Sequence, residues 1–253
     1  MSQALLKVNH LAKAYGAIQA VGGVSFEVQP GEIFGVIGPN GSGKTTLFNS
    51  MLGQIKPDTG TIELNGKDIT QATPMELSHL GVGRTFQTLQ VFAKMTVRDN
   101  LIVAAQEHVG TAFSRVFAAP DAGLGARADA MLAQFNISHV ADYLAGTLSY
   151  GQQKLVDIAM AFMSQPALVL LDEPCAGVNP SLVANLRDLL KDLNAKQQAN
   201  RQSCSFVVIE HNMDFVMSLC HRVMVMVEGK VLAIGKPEEI LANKAVLDAY
   251  LGH

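Results

Sequence analysis

Gly38-Pro39-Asn40-Gly41-Ser42-Gly43-Lys44-Thr45 is the stretch whose residue types and spacing carry the most specific chemistry. It fits GxxxxGK[ST], in which small residues let successive backbone N–H groups close around phosphate oxygens. An apolar run of Ile33, Phe34, Val36 and Ile37 leads in, and Lys44 to Leu52 reads as a helix leading out. The positive end of such a helix adds to the attraction for an anion. Gly38, Pro39, Asn40, Gly41, Ser42, Gly43 and Thr46 would line the cradle. Lys44 would reach the β- and γ-phosphates of a nucleotide, and Thr45 would offer its hydroxyl to Mg²⁺. The bland alternative is a glycine-rich turn beside a surface lysine.

A second constellation follows. Val169-Leu170-Leu171-Asp172-Glu173 reads as an apolar strand that ends in two carboxylates. Parallel strands present ligands at their carboxyl ends, where phosphate loops also sit. Asp172 can hold Mg²⁺ through water, and Glu173 can orient or deprotonate an attacking water. Adjacent strand residues point to opposite faces, so the two carboxylates need not share a role. Taken alone, the pair could equally be a polar strand end that stops burial; beside a phosphate loop, the catalytic reading is favoured.

Stepwise along the chain, Leu5 to Ala14, Val24 to Val28 and Thr61 to Leu64 read as early strands, with turns at Pro30-Gly31 and Asn65-Gly66. Gly81 to Phe86 is a further short strand. From Thr96 to about Ser164 the pattern is helical and alanine-rich, with breaks expected near Gly110 and around Pro120 to Gly125. Leu168 to Leu171 and Phe206 to Ile209 are apolar strands, Ser181 to Ala199 is an amphipathic helix, and Val223 to Val227 pairs with Val231 to Ile234 as a hairpin. Two short helices close the chain, the first from about Pro237. Buried strands alternating with helices predict an α/β core with a mainly parallel sheet, to which an antiparallel β subdomain and a helical subdomain are attached. The expected organisation is one domain over 1–253, with 1–87 and 165–253 forming the core and its β subdomain, and 88–164 the helical subdomain.

Composition narrows the class. The chain has 253 residues, 49% hydrophobic and 16% charged, which argues against disorder. A net charge of -3 gives no field for sequence-independent nucleic-acid binding, so no nucleic-acid partner is expected. The most apolar run, Leu155 to Leu171, is interrupted by Asp157, Ser164, Gln165 and Pro166, so no membrane span is expected. Met1 to Asn9 lacks the pattern of a secretory signal. Cys175, Cys204 and Cys220 have no CxxC spacing and fit a reducing cytosol.

Further motifs complete the pattern. Leu148-Ser149-Tyr150-Gly151-Gln152-Gln153 precedes the acidic strand, Gln87 follows Val82 to Phe86, and His211 follows Phe206 to Ile209. In this order the motifs resemble those of the ATP-binding-cassette ATPases over nearly the whole chain. The resemblance implies that Tyr15 stacks on adenine, and that Gln87 contacts Mg²⁺ and the attacking water where a transmembrane partner docks. It implies that Ser149, Gly151 and Gln152 belong to the signature that meets the γ-phosphate held by a second ATPase subunit. Asn179 falls in the loop that crosses between the two sites, and His211 contacts the γ-phosphate. The signature helix, starting near Ser149, would offer free N–H groups to that anion. Tyr150 and Asn179 depart from the commonest family pattern, which has a glycine and an aspartate there. ATP and Mg²⁺ are the implied substrate and cofactor, with Glu173 as general base and Lys44, His211 and Gln87 as its catalytic companions.

Arg84-Thr85-Phe86-Gln87 with Val91-Phe92 and Met95-Thr96-Val97, the signature continuing to Lys154, and Ile209-Glu210-His211-Asn212-Met213-Asp214 resemble the branch serving importers of branched-chain, or other hydrophobic, amino acids. So do Ile234 to Ile240, Ala249-Tyr250-Leu251-Gly252, and the long segment Gln106 to Asp129. That branch implies permease subunits in the membrane, a second ATPase chain as hetero- or homodimer partner, indirectly a periplasmic solute-binding protein, and a place on the cytoplasmic face of the inner membrane. Related branches serve urea and short amides or lipopolysaccharide export; the exporter branch shares the Gly81 to Gln87 stretch but usually keeps an LSGG-type signature. A soluble non-transport ATPase is the rival class. DNA-repair members carry a long coiled coil between phosphate loop and signature, and no sustained heptads separate Thr45 from Ser149 here.

Other eye-catching residues read as structural. Met213, Met217, Met224 and Met226 suit core filling. Cys175, beside the nucleotide motifs, reads as an inert small residue, and His79, His108, His139 and His221 form no metal spacing. Arg115 to Phe117 reads as a helix-end contact or a partner surface.

Overall fold

The computed structural model describes residues 3–85, 89–105, 122–199 and 204–251. Two sheets organise it. The first has four antiparallel strands in the order β2-β1-β4-β5, formed by β1 (Leu6–Tyr15), β2 (Ile18–Val28), β4 (Thr59–Leu64) and β5 (Lys67–Asp68). The second has six strands in the order β10-β9-β3-β8-β7-β6. Its members are β3 (Ile33–Ile37), β6 (Val82–Arg84), β7 (Leu168–Asp172), β8 (Ser205–Ile209), β9 (Arg222–Val227) and β10 (Lys230–Gly235). All neighbours are parallel except β9 and β10. That hairpin turns at Glu228-Gly229, both in the left-handed region, as a two-residue turn of the hand that suits twisted strands requires.

The period of two explains how one sheet holds two cores. Ile33, Val169, Leu171, Phe206, Val208, Val223 and Val225 face one apolar cluster. Their alternates Phe34, Val36, Leu168, Leu170, Val207, Ile209, Met224 and Met226 face the other. The first cluster is roofed by helices α3 (Val97–Ala105), α4 (Ala122–Gln134), α5 (Tyr150–Phe162), α6 (Pro180–Ala199) and α7 (Met213–Leu219). The second joins the antiparallel sheet and α1 (Lys44–Met51). Leu186, Leu190 and Leu193 form the buried stripe of α6, so the amphipathic reading of that helix holds. The four methionines divide between the clusters: Met224 and Met226 are buried in one, and Met213 and Met217 pack against the other.

The helical middle differs from expectation. The helix α4 begins at Ala122 and runs through Gly123 and Gly125, where a break was expected. Two glycines cost about 1 kcal/mol each relative to alanine. Ala128 and Leu132, four apart and both fully buried, offset this by anchoring the helix on the core. The interruption among the described residues comes later, at Asn136 with φ +57°, followed by 3₁₀ turns at Ser138–Val140 and Ala145–Thr147. Gly110, Pro120 and Arg115 to Phe117 lie outside the described residues, as does most of Gln106 to Asp129. Helices α2 (Pro74–His79), α8 (Pro237–Leu241) and α9 (Lys244–Leu251) complete the chain. Among the described residues no helix is long and apolar enough to cross a membrane.

Candidate functional site

The carboxyl ends of three adjacent parallel strands build the site. β3 runs into the glycine-rich loop, β8 lies beside it and ends before Glu210-His211, and β7 lies beside β8 and ends at Asp172. The loop from Gly38 to Gly43 needs its glycines. A side chain at Gly38 would strike the Met226 carbonyl oxygen, and one at Gly43 would strike that of Ala20. Gly43 also caps α1 with φ +94°, without a side-chain hydrogen bond to the helix, and the first turn of α1 carries no acidic residue. Thr45 and Thr46 stand in that turn, and a helix start without a side-chain cap or an acidic residue is suited to an anion. Pro39, Asn40, Gly41 and Ser42 complete the loop, with Ser42 N–H donating to the Pro39 carbonyl at 3.2 Å.

Lys44 holds the loop in shape. Its Nζ donates to the carbonyl oxygens of Gly38 (2.8 Å) and Pro39 (2.9 Å) and to Ser42 Oγ (3.3 Å). Burial lowers its pKa, and the charges of Glu173 and Asp172 oppose that shift. The amine is therefore within electrostatic reach of both carboxylates. Asp172 is buried, with its N–H donating to Thr85 Oγ1 at 3.2 Å. Burial, then the neighbouring Glu173, pushes its carboxyl up to about 6, while Lys154 and His211 act in the other direction. The site is thus short of positive charge beside a hard oxygen donor set of Asp172 and Thr45, which fits a divalent cation such as Mg²⁺.

Strand alternation, expected from the sequence to set the directions of Asp172 and Glu173, does not decide how Glu173 points, because the strand ends at Asp172. Glu173 has left the strand and takes φ +45°. Its N–H donates to the Ile209 carbonyl at 2.9 Å, and its Oε1 lies 3.0 Å from His211 Nε2. The structure thus brings Lys44, Asp172, Glu173 and His211 together. Gln87 and Phe86 lie outside the described residues.

Other candidates stand apart from this cluster. Tyr15 ends β1, 48% exposed, with Lys13 Nζ 5.9 Å from its ring centroid. Such a ring is free to stack on a flat base. Ser149 caps α5: Ser149 Oγ accepts from Gln152 N–H at 3.4 Å, and Gln152 Oε1 accepts from Ser149 N–H at 3.1 Å. The hydroxyl also donates to Gln152 Oε1 at 3.0 Å. In this single chain the signature's polar side chains close their own helix end. Gly151 packs so tightly on α6 that a side chain there would meet Leu182.

The two departures from the family pattern are explained locally. The Tyr150 ring covers Gly177, which has φ +71°. Asn179 caps α6, its Oδ1 accepting from Leu182 N–H at 2.9 Å, a task asparagine performs as well as aspartate. Ser149, Tyr150, Gly177 and Asn179 share one open depression.

Sequence reasoning missed two buried charges behind the site. Glu210 is 3% exposed and accepts backbone hydrogen bonds from Cys175, His211 and Asn212. Lys154, on the signature helix, is 1% exposed, and its amine has no hydrogen-bond partner among the described residues. A charged residue directly beside the largely apolar run Leu155 to Phe162 was the available signal for Lys154. Glu210 carried none, because only the fold shows which amides surround it. Of the histidines read as structural, His221 accepts from Ile33 N–H through Nδ1. No cluster of acidic, histidine or cysteine side chains among the described residues forms a metal site by itself.

The sequence pattern of the ABC transporter family matches residues 21–176, and that of the branched-chain amino acid ATP-binding cassette transporters matches residues 230–253. The high-affinity branched-chain amino acid transport ATP-binding protein BraF of Pseudomonas aeruginosa is 37% identical, covering 100% of this chain and 99% of its own. The protein of the same description from Escherichia coli K12, LivG, is 38% identical over 100% and 99%. The crystal structure of the ADP conformation of MJ1267, an ATP-binding cassette of an ABC transporter, superposes with a TM-score of 0.87 at 34% identity, covering 100% of both chains. The chain belongs to the ABC transporter family, as an ATP-binding subunit that hydrolyses ATP to energise transport.

Proposed function

We propose that this ATPase powers import of branched-chain or other hydrophobic amino acids. The observation that carries the reading is the full-length likeness to BraF and LivG, which extends through the final segment 230–253. Permease subunits and a paired ATPase follow from an importer's architecture. In this reading the pair is a second short ATPase chain, a periplasmic binding protein delivers the solute, and the assembly sits on the cytoplasmic face of the inner membrane. A groove of about 910 Å³ bordered by Arg84, Gln90, Ala105 and Met160 suits a permease contact.

The reaction is hydrolysis of ATP at the cluster described above. Tyr15 takes the adenine, and the loop from Gly38 to Thr46 takes the phosphates through backbone N–H groups. Thr45, Asp172 and Gln87 would hold Mg²⁺, which when bound neutralises charge on the β- and γ-phosphates. Glu173 accepts the proton of the attacking water, while Lys44 and His211 stabilise the charge that develops on the γ-phosphoryl group. Ser149, Gly151 and Gln152 serve the ATP of the paired subunit. Both ATPs would then lie between two chains, so that hydrolysis separates them and moves the permeases.

Mass spectrometry of what co-purifies with the chain from gently solubilised native membranes tests this. Two polytopic permeases and a second short ATPase, with loss of leucine uptake when the chain is deleted, are the expected result. Partners with periplasmic jelly-roll domains would move the assignment to lipopolysaccharide export. Recovery without any membrane protein would restore the soluble-ATPase reading.

A further inference from the structure

Glu210 occupies the carboxyl end of β8, between the strand that leads to the phosphate loop and the strand that leads to Asp172. Its two carboxylate oxygens face different loops. Oε1 accepts from Cys175 N–H at 2.7 Å, and Oε2 accepts from His211 N–H at 2.7 Å and Asn212 N–H at 3.0 Å. One loop carries Glu173 and the other carries His211. The residue is 3% exposed, and a carboxylate that deep is tolerable only because three N–H dipoles converge on it.

The same hydrogen bonds bear on a strained backbone. Glu173 has φ +45°, a left-handed conformation that a non-glycine residue keeps only where its surroundings enforce it. On one side the Glu173 N–H is held by the Ile209 carbonyl; on the other, two residues on, the Cys175 N–H is held by Glu210. Both clamps come from the end of the same strand. Glu173 and His211 then meet at 3.0 Å.

We infer that Glu210 is a positioning residue for ATP hydrolysis, its carboxylate tying the Glu173 loop to the His211 loop so that the proposed base and its histidine meet. The inference rests on the catalytic reading of those two residues. It explains why a carboxylate, and not an amide, stands here. A glutamine offers one acceptor and one donor, so whichever way it turns, its NH₂ group faces an N–H and one loop loses its anchor.

The test is Glu210→Gln in the full chain, with ATP turnover, nucleotide affinity and melting temperature measured together. The expected result is a fall in kcat of roughly 10- to 100-fold, as for a displaced catalytic group, with KM for ATP within about twofold. In a His211→Ala background the same change lowers kcat by less than about threefold, because the geometry it protects is already lost. Alkylation of Cys175 should accelerate in Glu210→Gln, since that loop is released. Equal losses in kcat and affinity, multiplicative effects with His211→Ala, or unchanged Cys175 labelling would each overturn the inference. If Glu210→Gln does not fold, Glu210→Asp keeps the buried charge but is one methylene too short to span both loops, and the same kcat loss at unchanged KM is expected of it. Wild-type turnover in Glu173→Gln would sink the catalytic reading instead; an inactive Glu173→Gln beside a fully active Glu210→Gln would sink the positioning role alone.

Discussion

His211 Nε2 stands 3.0 Å from Glu173 Oε1, although neither residue lies within a strand or helix. They follow adjacent parallel strands, β8 and β7, so the sheet sets their spacing. Both are partly open to solvent, at 43% for the His211 side chain and 26% for that of Glu173, so substrate can reach them. In the proposed reaction His211 faces the γ-phosphate. ATP binding then gives the histidine a new partner and frees Glu173 for water.

Glu173→Gln should leave ATP binding intact, because the phosphate contacts come from the loop and α1. Loss of a general base costs roughly 10²- to 10⁴-fold in turnover. The variant should therefore accumulate as an ATP-bound dimer. Size-exclusion chromatography with ATP and Mg²⁺, on the variant alone and mixed with its paired ATPase chain, checks this, and a monomer in both cases would count against it.

Lys44→Ala should abolish hydrolysis without unfolding the chain. Removing a group that stabilises transition-state charge costs roughly 10²- to 10³-fold. The loop also loses the three bonds from Nζ to Gly38, Pro39 and Ser42. Their net worth is about 1–2 kcal/mol, since the buried ammonium is removed with them. Calorimetry should show a folded variant with a modestly lower Tm; unchanged turnover would refute the assignment of the loop.

How much of this was legible beforehand depends on the distance over which each signal acts. Gly38 to Thr45 could be read because its geometry is local: a strand, a glycine turn and a helix contiguous in sequence. The sheet was legible because runs such as Leu168 to Leu171 are apolar on both faces, as central parallel strands must be. The left-handed backbone of Glu173 was not legible, since nothing in Asp-Glu-Pro announces it; it arises from bonds to Ile209 and, through Cys175, to Glu210 on another strand. The helix through Gly123 and Gly125 was misjudged for a related reason, as local propensity yielded to burial of Ala128 and Leu132. Lys154 passed unnoticed because a lysine at the start of a helix usually points to solvent, and only the packing of that helix against the sheet buries it.

Tyr150 and Gly177 make a pair whose coupling can be measured. A methyl group at Gly177 would come within 2.8 Å of the Tyr150 ring, and the backbone there has φ +71°. Gly177→Ala therefore carries a conformational cost of about 1–2 kcal/mol and a steric one. In a Tyr150→Ala background only the conformational part remains. Chemical denaturation of the four proteins should give a coupling of about 1 kcal/mol. Additive effects would mean that the ring moves aside freely and that the signature and the following loop are not in rigid contact.

The three cysteines make a prediction about alkaline pH. All are buried, and burial pushes the thiol of Cys204 from 9.0 up to about 12, with Cys175 and Cys220 also raised by burial. In the unfolded chain the thiols ionise near their ordinary value, while in the folded chain they keep their protons. The unfolded state then binds fewer protons above pH 9, so the stabilising contribution is whole below that pH and is lost as pH rises towards the folded value. Each thiol adds about 1.4 kcal/mol of lost stability per pH unit over that window. A variant with all three replaced by alanine should show a shallower decline of Tm between pH 9 and pH 11 than the parent chain. Iodoacetamide should label the native parent slowly at pH 8 and the urea-unfolded chain at three sites. Fast labelling of the native protein, or parallel alkaline slopes for the two proteins, would show that these thiols are reached by solvent and titrate as free groups.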